Sequence, residues 1–452
     1  MKIVIIGNGV AGIFSAQNLR KFNKDVDIEI YSRENYPYYT RVKLPEVISN
    51  KISIQDLIVF KDDWYEKNRI KAFLGKNITG INPNTNTISI DGKDTPISYD
   101  KLVIATGSMP NIPPIKNAKE AIGKGVFTLR NIEDALEIKN YIEKNNIKNA
   151  IIIGGGLLGL ELAKQIKDCN LNTTVVEFFP RLLPRQLDVD CAGMLKDKIE
   201  SMGIRVVLEA STEEILLKDD FVKGIKLKDG TTIETDIVLI QAGITPTIDI
   251  TREANIETNR GIIVNEHLET SANDIYAVGD CIEYEGRIWG IIPACIDQAK
   301  IVAETILGNK SMKYNGTIPK NTLKIIGIDL TSIGVFDPED TDRVGAGWQI
   351  LKGIDSKESC YKKIVLKDNN LKGAILFGEN SGMSYLTKNI DKNVEEMELR
   401  KAINLFKWIC GECNNVYDEA FMELLFKDLP ENWKCPQCNG PKDGFHKEEL
   451  ES

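Results

Sequence analysis

The chain opens with Lys2-Ile-Val-Ile-Ile-Gly7-Asn-Gly9-Val-Ala-Gly12, an apolar run followed at once by a Gly-x-Gly-x-x-Gly turn and then by a helical pattern. Residues 150–159, Ala-Ile-Ile-Ile-Gly-Gly-Gly-Leu-Leu-Gly, repeat this arrangement. In such a turn the first glycine permits a tight bend, the second lets a phosphate approach the backbone, and the third allows the helix to pack closely on the strand. Two copies of the pattern predict two nucleotide-binding units.

Each copy is followed by a second apolar run that ends next to an acidic residue, Glu34 or Glu177. A carboxylate at this place accepts hydrogen bonds from ribose hydroxyls. At the second copy it also repels a 2′-phosphate, so Glu177 favours NADH over NADPH. Arg181 and Arg185 follow it and either soften that preference or lie on the surface. Glu34 stands two residues beyond the usual position, which is occupied by Ser32, so Ser32 is the alternative ribose contact.

Further apolar runs that end in small residues predict buried parallel strands in three places, at residues 101–107, 236–243 and 275–280. The predicted fold class is α/β, with two Rossmann-like dinucleotide-binding domains of which the second is inserted in the first, a small α+β domain and a C-terminal metal module. The predicted boundaries are 1–115 and 245–315 for the first domain, 116–244 for the inserted domain, 316–390 for the α+β domain, 391–405 for a linker or short helix, and 406–452 for the metal module.

Composition narrows the classes of function. The 452 residues include 57 Lys+Arg and 66 Asp+Glu, and the net charge of −9 argues against nucleic acid as the main partner. The first apolar run is too short for a signal peptide, and no membrane segment is expected. Nine cysteines are too few for a disulfide scaffold of this length. These features predict a cytoplasmic, reducing location.

Four of the nine cysteines form two Cys-x-x-Cys turns near the C-terminus, Cys410 with Cys413 and Cys435 with Cys438. This spacing lets each turn place two sulfurs on one tetrahedral metal ion. Four thiolates suit either a structural Zn²⁺ or a single iron, and the spacing alone leaves both open. Only iron carries electrons.

Several motifs together resemble the pyridine nucleotide-disulfide oxidoreductase superfamily over about residues 1 to 390: the two glycine fingerprints, Ala105-Thr106-Gly107, Ala242 to Pro246, and Tyr276 to Asp280. The resemblance implies that the first fingerprint binds FAD and the second binds NADH. It implies that Asp280 bonds the ribityl chain and that Arg130 contacts FAD. The other residues predicted to contact FAD are Gly7, Gly9, Val10, Ala11, Gly12, Arg33, Glu34, Arg41, Lys43, Ala105, Thr106, Gly107 and Gly279. Those predicted to contact NADH are Gly154, Gly156, Leu158, Gly159, Glu161, Glu177 and Gly243.

The sequence lacks the early cysteine through which disulfide reductases, NADH oxidases and peroxidases of that superfamily work, since the first cysteine is Cys169. No thiolate is therefore placed to receive electrons from the flavin. The pattern resembles the rubredoxin and ferredoxin reductase branch, in which FAD passes electrons one at a time to a separate iron protein. Arg41 and Lys43 match basic positions of that branch near the flavin, and they are candidate catalytic residues or ordinary surface charges.

The C-terminal module is similar to rubredoxin over nearly its full length, including its aromatic positions Tyr417, Phe426, Trp433 and Phe445. This similarity implies one iron bound by four cysteines, with zinc as a substitute. The sequence departs from the rubredoxin pattern in two ways. Only 21 residues separate Cys413 from Cys435, and asparagines replace the glycines that normally follow the cysteine pairs, at positions 414 and 439. Asparagine also tolerates a left-handed backbone, so we expect both metal-binding turns to form.

Together these resemblances imply electron flow from NADH through FAD to the four-cysteine iron site and on to a downstream redox protein. Two alternatives remain at this point. One is an NADH oxidase that reduces O₂ at the flavin and carries a structural zinc ribbon as its tail. The other is a redox-controlled docking protein whose tail binds a partner.

Overall fold

The computed structural model describes residues 1–92, 95–338, 347–355, 358–422 and 424–448. Its strands, in chain order, are β1 (Lys2–Ile6), β2 (Asp27–Tyr31), β3 (Ile70–Phe73), β4 (Ile78–Asn82), β5 (Thr87–Ile90), β6 (Ile97–Ser98), β7 (Lys101–Ile104), β8 (Ser108–Pro110), β9 (Val126–Thr128), β10 (Asn149–Ile153), β11 (Asn172–Val176), β12 (Arg205–Val207), β13 (Thr212–Lys218), β14 (Phe221–Leu227), β15 (Thr232–Glu234), β16 (Ile237–Ile240), β17 (Ile244–Pro246), β18 (Ile262–Ile263), β19 (Ile275–Ala277), β20 (Ile282–Glu283), β21 (Lys320–Ile325), β22 (Ile328–Gly334), β23 (Trp348–Asp355), β24 (Cys360–Lys367), β25 (Asn370–Phe377), β26 (Lys407–Cys410), β27 (Val416–Asp418) and β28 (Phe445–Lys447).

The α-helices are α1 (Val10–Phe22), α2 (Leu44–Ile48), α3 (Ile54–Leu57), α4 (Asp62–Lys67), α5 (Ile132–Lys144), α6 (Leu157–Asp168), α7 (Val189–Ser201), α8 (Asp249–Glu253), α9 (Ile292–Ile306), α10 (Met383–Asn389) and α11 (Glu396–Ala402). Among the helices of the described ranges, none combines the length and the apolar character needed to cross a membrane.

The first sheet is five-stranded and parallel, in the order β19-β7-β1-β2-β3. Strand β1 lies at its centre because Ile3, Val4 and Ile5 are apolar on both faces, and all three are fully buried. Strand β19 follows the second sheet in sequence yet pairs with β7, as the predicted insertion requires. The carboxyl ends of these parallel strands share one edge, where ligands bind in sheets of this type.

The second sheet is also five-stranded, in the order β12-β11-β10-β16-β9, and its pairs β10–β16, β11–β12 and β16–β9 are parallel. Its strand β10 has the buried apolar residues Ile151 and Ile152, like β1 in the first sheet. Two such sheets confirm the predicted α/β class with two Rossmann-like domains. A third, antiparallel sheet in the order β21-β22-β25-β24-β23 belongs to the α+β region.

The contacts within the chain define two compact units. The first comprises residues 1–154, 165–173 and 211–317, and the second comprises 155–164, 174–210 and 318–452. Residues 155–164 and 174–210 of the predicted inserted domain pack in the second unit with the α+β region, and the domain boundaries remain a prediction. Asp188, which caps α7, accepts hydrogen bonds from Lys363 Nζ at 2.8 Å and from Tyr361 Oη at 2.5 Å. All three residues are buried.

The segment at 391–405, predicted as a linker or short helix, forms α11 and enters a hydrophobic core. Leu399 and Leu405 are fully buried in a cluster that also holds Leu376 of β25 and Leu425 of the metal module. Gly353 of β23 leaves room for this packing, since a Cβ there would overlap Leu405. The segment is therefore an integral part of the second unit rather than a free tether.

The metal module is a three-stranded antiparallel sheet in the order β27-β26-β28, with an aromatic core. The four predicted aromatic residues pack together around Phe426, which is buried. Trp408, which the sequence did not predict for this core, stacks on Phe426 with ring centroids 4.4 Å apart. This aromatic cluster covers the cysteine-bearing turns, so Cys410 and Cys435 are buried.

Candidate active site and metal centre

The first glycine turn fits a dinucleotide phosphate. A Cβ at Gly7 would overlap the carbonyl of Ala105, and one at Gly12 would overlap the carbonyl of Gly7, so neither position tolerates a side chain. At Gly9, by contrast, a Cβ would have no neighbour within 4 Å. Gly9 caps the N-terminus of α1, whose unpaired amides favour an anion. The open space at Gly9 is where the predicted pyrophosphate would approach.

Arg130 and Asp280, predicted separately as FAD contacts, lie together. Arg130 donates from Nη2 to Asp280 Oδ2 at 2.9 Å, and Ser108 Oγ donates to the same oxygen at 2.9 Å. Arg130 also donates to Ser108 Oγ at 2.7 Å, which closes a three-membered network. Sequence reasoning missed Ser108, although it directly follows the Ala105-Thr106-Gly107 motif. Gly279 approaches α1 closely, since a Cβ there would lie 2.8 Å from Ala11 Cβ.

Glu34, the predicted ribose acid of the first domain, is held by two side chains. Arg41 forms an ion pair with Glu34 at 2.5 Å, and Tyr39 donates its hydroxyl to the other carboxylate oxygen. The guanidinium of Arg41 also lies over the ring of Tyr39, 5.7 Å from its centroid. Arg41 is thus engaged with the acid rather than displayed as a free charge, whereas Lys43 and Arg33 are exposed.

The alternative ribose contact, Ser32, is buried, and its backbone forms hydrogen bonds with neighbouring segments. The remaining residues predicted for FAD lie where their motifs place them. Val10 and Ala11 begin α1, and Thr106 and Gly107 follow β7. Thr106 donates from Oγ1 to the carbonyl of Thr247 at 2.8 Å.

The predicted NADH residues are divided between the two units. In the first unit, a Cβ at Gly154 would overlap the carbonyl of Gln241, and Gly243 is exposed. In the second unit, Glu177 is only 5% exposed, and it accepts from the amides of Gly155 at 2.5 Å and of Phe179 at 2.9 Å. A Cβ at Gly156 would have no neighbour within 4 Å, so the backbone at this position is open to a ligand.

Four further residues of the second unit are predicted to contact NADH or to affect the choice of nucleotide. Glu161, predicted as an NADH contact, accepts a hydrogen bond from the amide of Ile326 at 2.8 Å. Leu158 is exposed, while Gly159 is buried in α6. Arg181 donates to the carbonyl of Leu187 at 3.1 Å and to Asp337 at 3.5 Å.

The cysteines outside the metal module are poor electron acceptors. Burial raises the pKa of Cys281 to about 11, and it also raises the pKa of Cys295 and of Cys191. A thiol with a raised pKa stays protonated at neutral pH, and the thiolate is the reactive form. Cys281 donates to the carbonyl of Val278 at 3.2 Å, as a buried structural thiol does.

We expect Cys281→Ala to leave the rate of flavin reduction by NADH unchanged, because no thiolate forms at this position. Anaerobic bleaching of the flavin absorbance measures that rate. Cys295→Ala, whose thiol lies 3.8 Å from Asp280 Oδ1, is the companion variant. Loss of flavin reduction in a variant that keeps its fold and its FAD would contradict this expectation.

The four cysteines of the C-terminal module converge on one point. Their sulfurs all lie within 4.8 Å of one another, with 3.6 Å between Cys410 and Cys438 and 3.6 Å between Cys413 and Cys435. A tetrahedral site with metal–sulfur bonds of about 2.3 Å has sulfur–sulfur edges of about 3.8 Å, so the cluster fits a single metal ion.

The backbone of both turns prepares the site. Asn414 and Asn439 adopt left-handed φ angles of 57° and 61°, and their amides return to the carbonyls of Cys410 and Cys435 at 2.9 Å. Both turns therefore form, as expected, although asparagine stands where rubredoxins have glycine.

Comparison with known families agrees with this arrangement. The model of the family "Pyridine nucleotide-disulphide oxidoreductase" matches residues 1–299. The models "Rubredoxin NAD+ reductase C-terminal domain" and "Rubredoxin" match residues 319–394 and 424–445. The chain belongs to the pyridine nucleotide-disulphide oxidoreductase family, and it carries a rubredoxin domain at its C-terminal end.

Individual relatives are consistent with this membership. The chain is 35% identical over 442 residues to a nitrite reductase [NAD(P)H] of Bacillus subtilis (strain 168), covering 94% of this chain and 53% of the relative. It is 34% identical over 392 residues to the NADH-rubredoxin oxidoreductase of Clostridium acetobutylicum, covering 87% of this chain and 95% of the relative. The crystal structure of NADH:rubredoxin oxidoreductase from Clostridium acetobutylicum superposes with a TM-score of 0.69 at 31% identity, covering 89% of this chain and 98% of that chain. The chain spans about half the length of the first curated relatives that it matches.

Proposed function

We propose that this protein moves electrons from NADH, through FAD, to a single iron in its own C-terminal module and on to a downstream redox protein. The observation that carries the proposal is the four-sulfur cluster, which shares one chain with two dinucleotide-binding folds and no reactive thiol near the flavin residues. FAD, when bound, supplies the conversion of a two-electron hydride into single electrons. The predicted cytoplasmic location is part of the same proposal.

The residues of the first unit hold FAD in this account. The backbone at Gly9 receives the pyrophosphate, because α1 offers its unpaired amides there. Glu34 accepts from the adenosine ribose, and its ion pair with Arg41 fixes the carboxylate in place. Asp280 accepts from the ribityl hydroxyls, while Arg130 and Ser108 orient it through one of its oxygens. Lys43 remains exposed and is a candidate basic residue near the flavin.

The second unit supplies the selectivity for NADH. Glu177 is placed against the glycine turn by the amide of Gly155, at the end of β11, where the adenosine ribose of a bound nucleotide lies in folds of this class. A carboxylate at that place accepts from the 2′-hydroxyl and repels a 2′-phosphate. Arg181 pairs with Asp337, which partly neutralises its charge.

We expect Glu177→Arg to lower the ratio of kcat/KM for NADH to kcat/KM for NADPH by about 10- to 100-fold, because a hydrogen bond to a charged group contributes about 1.5–3 kcal/mol. Steady-state kinetics with both nucleotides measures the ratio. Glu177→Gln is the matched control, since it keeps the shape and removes the charge, and it should move the ratio less. A wild-type preference for NADPH would refute the assignment.

The identity of the metal decides between this function and the two alternatives. Iron bound by four thiolates absorbs visible light beyond the flavin bands, and zinc does not. We expect protein purified anaerobically from iron-sufficient cells to contain one iron per chain and to show those bands. Zinc in the site of such protein would favour an NADH oxidase with a structural tail or a docking protein, and would refute the electron relay.

A further inference from the structure

Glu412 sits inside the first Cys-x-x-Cys turn, yet its side chain reaches a ligand of the second turn. Its Oε2 lies 3.5 Å from the sulfur of Cys438. Gly440 makes this approach possible, because a Cβ at that position would lie 2.8 Å from Glu412 Oε2 and 3.2 Å from Cys438 Sγ. The two turns thus leave a space beside one metal ligand, and a carboxylate fills it.

The amide of Gly440 contacts the same sulfur and has the opposite electrostatic effect. It donates to Cys438 Sγ at 3.4 Å. Hydrogen bonds to the sulfurs, net charge and solvent exposure set the potential of iron–sulfur sites. An amide donor stabilises the more negative, reduced site, whereas a neighbouring carboxylate destabilises it. Cys438 and Glu412 are both accessible to solvent, so this ligand lies on the side that an external partner can reach.

We propose that Glu412 is a tuning residue that lowers the reduction potential of the metal site and so makes the reduced module a stronger electron donor to its acceptor. The inference rests on the proposed iron site. Because Glu412 is exposed, water and salt screen its charge, and we expect an effect of about tenfold in the equilibrium constant for reduction, which corresponds to about 59 mV.

The test is a redox titration of the iron bands in the full-length, iron-loaded protein at one fixed pH. Glu412→Gln and Glu412→Ala should both raise the reduction potential by about the stated amount, since both remove the charge. Glu431→Gln removes the same charge from the same module, at an exposed position outside both Cys-x-x-Cys turns. It should shift the potential by less than half as much.

Two results would overturn the inference. Unchanged potentials in both Glu412 variants would show that the carboxylate does not act on the metal site. Equal shifts in Glu412→Gln and Glu431→Gln would show a general effect of module charge instead of a local one. Absence of iron bands from the wild-type protein would refute the proposed function itself. That result is distinct from the two above, which concern only the effect of Glu412 on an iron site that is present.

Discussion

Cys435→Ser should abolish electron delivery to an external protein acceptor while leaving flavin reduction by NADH intact. Cys435 is a fully buried member of the four-sulfur cluster, 3.6 Å from Cys413. Mutation of a residue that hydrogen-bonds to a metal ligand typically lowers metal affinity or activity by about 10- to 100-fold. Loss of a ligand itself should therefore lower the rate of acceptor reduction by at least about 100-fold. Reduction of added cytochrome c, an artificial one-electron acceptor, measures delivery, and anaerobic bleaching of the flavin measures the first step.

Cys169→Ser is the matched control for this variant, because Cys169 lies in the first unit and outside the metal module. It should deliver electrons at the wild-type rate. Undiminished cytochrome c reduction by Cys435→Ser would mean that electrons leave from the flavin directly, and the relay would then be wrong.

Arg400→Met should detach the metal module from the rest of the second unit. Arg400 is only 2% exposed, and it holds Asp418 of the module through two hydrogen bonds at 2.7 and 3.0 Å. It also donates to Glu396, one turn earlier in α11, at 2.7 Å. Removing one partner of a fully buried ion pair typically costs about 3–5 kcal/mol. The side chains of Asp418 and Glu396 are 16% and 34% exposed, so we expect the lower end of this range.

The measurement is denaturant unfolding followed by the visible absorption of the metal site, which reports on this module. We expect a loss of about 3 kcal/mol in the free energy of unfolding. Lys401→Met removes the same charge from the next residue of the helix, which is exposed, and should leave the midpoint almost unchanged. Equal midpoints for both variants would show that the buried ion pair does not hold the module.

The same ion pair gives the stability of the unit a dependence on pH. Desolvation raises the pKa of Glu396, but hydrogen bonds from Arg400 and Gln349 outweigh it, so the pKa is lowered overall. A lowered folded-state pKa means that the contribution is present at neutral pH and is lost as the pH falls through that value. The denaturation midpoint of wild type should therefore fall at acidic pH more steeply than that of Arg400→Met.

The features that could be predicted from the sequence are those whose physical cause is local. Gly7 and Gly12 are required because a Cβ at either position would overlap backbone, and this requirement leaves a fixed spacing in the sequence. The Cys-x-x-Cys turns are equally local, and Asn414 and Asn439 adopt the left-handed conformation that the sequence predicts. Strands β1 and β10 were recognisable because both faces of each strand are buried.

The features that were missed depend on how the chain folds back on itself. Nothing near Arg41 indicates that it pairs with Glu34 instead of facing a partner protein, because Tyr39 and the chain path bring the two side chains together. The 391–405 segment is predicted as a linker or short helix, and α11 forms there, but its polar composition does not indicate that it enters a hydrophobic core. Leu399 and Leu405 of this segment are fully buried in a core that also holds strand residues distant in sequence. That burial depends on Gly353, which carries no recognisable signal of its own.

The central claim is that electrons pass within one molecule from the flavin to the iron of the same chain. Anaerobic stopped-flow absorbance, with flavin and iron followed at separate wavelengths after mixing with NADH, tests it most directly when the protein concentration is varied over at least about tenfold. Because the flavin-binding residues and the metal module belong to one chain, their effective concentration does not depend on the amount of protein, and we expect the rate of iron reduction to be independent of protein concentration. A rate that rises in proportion to protein concentration would show transfer between molecules and contradict the account.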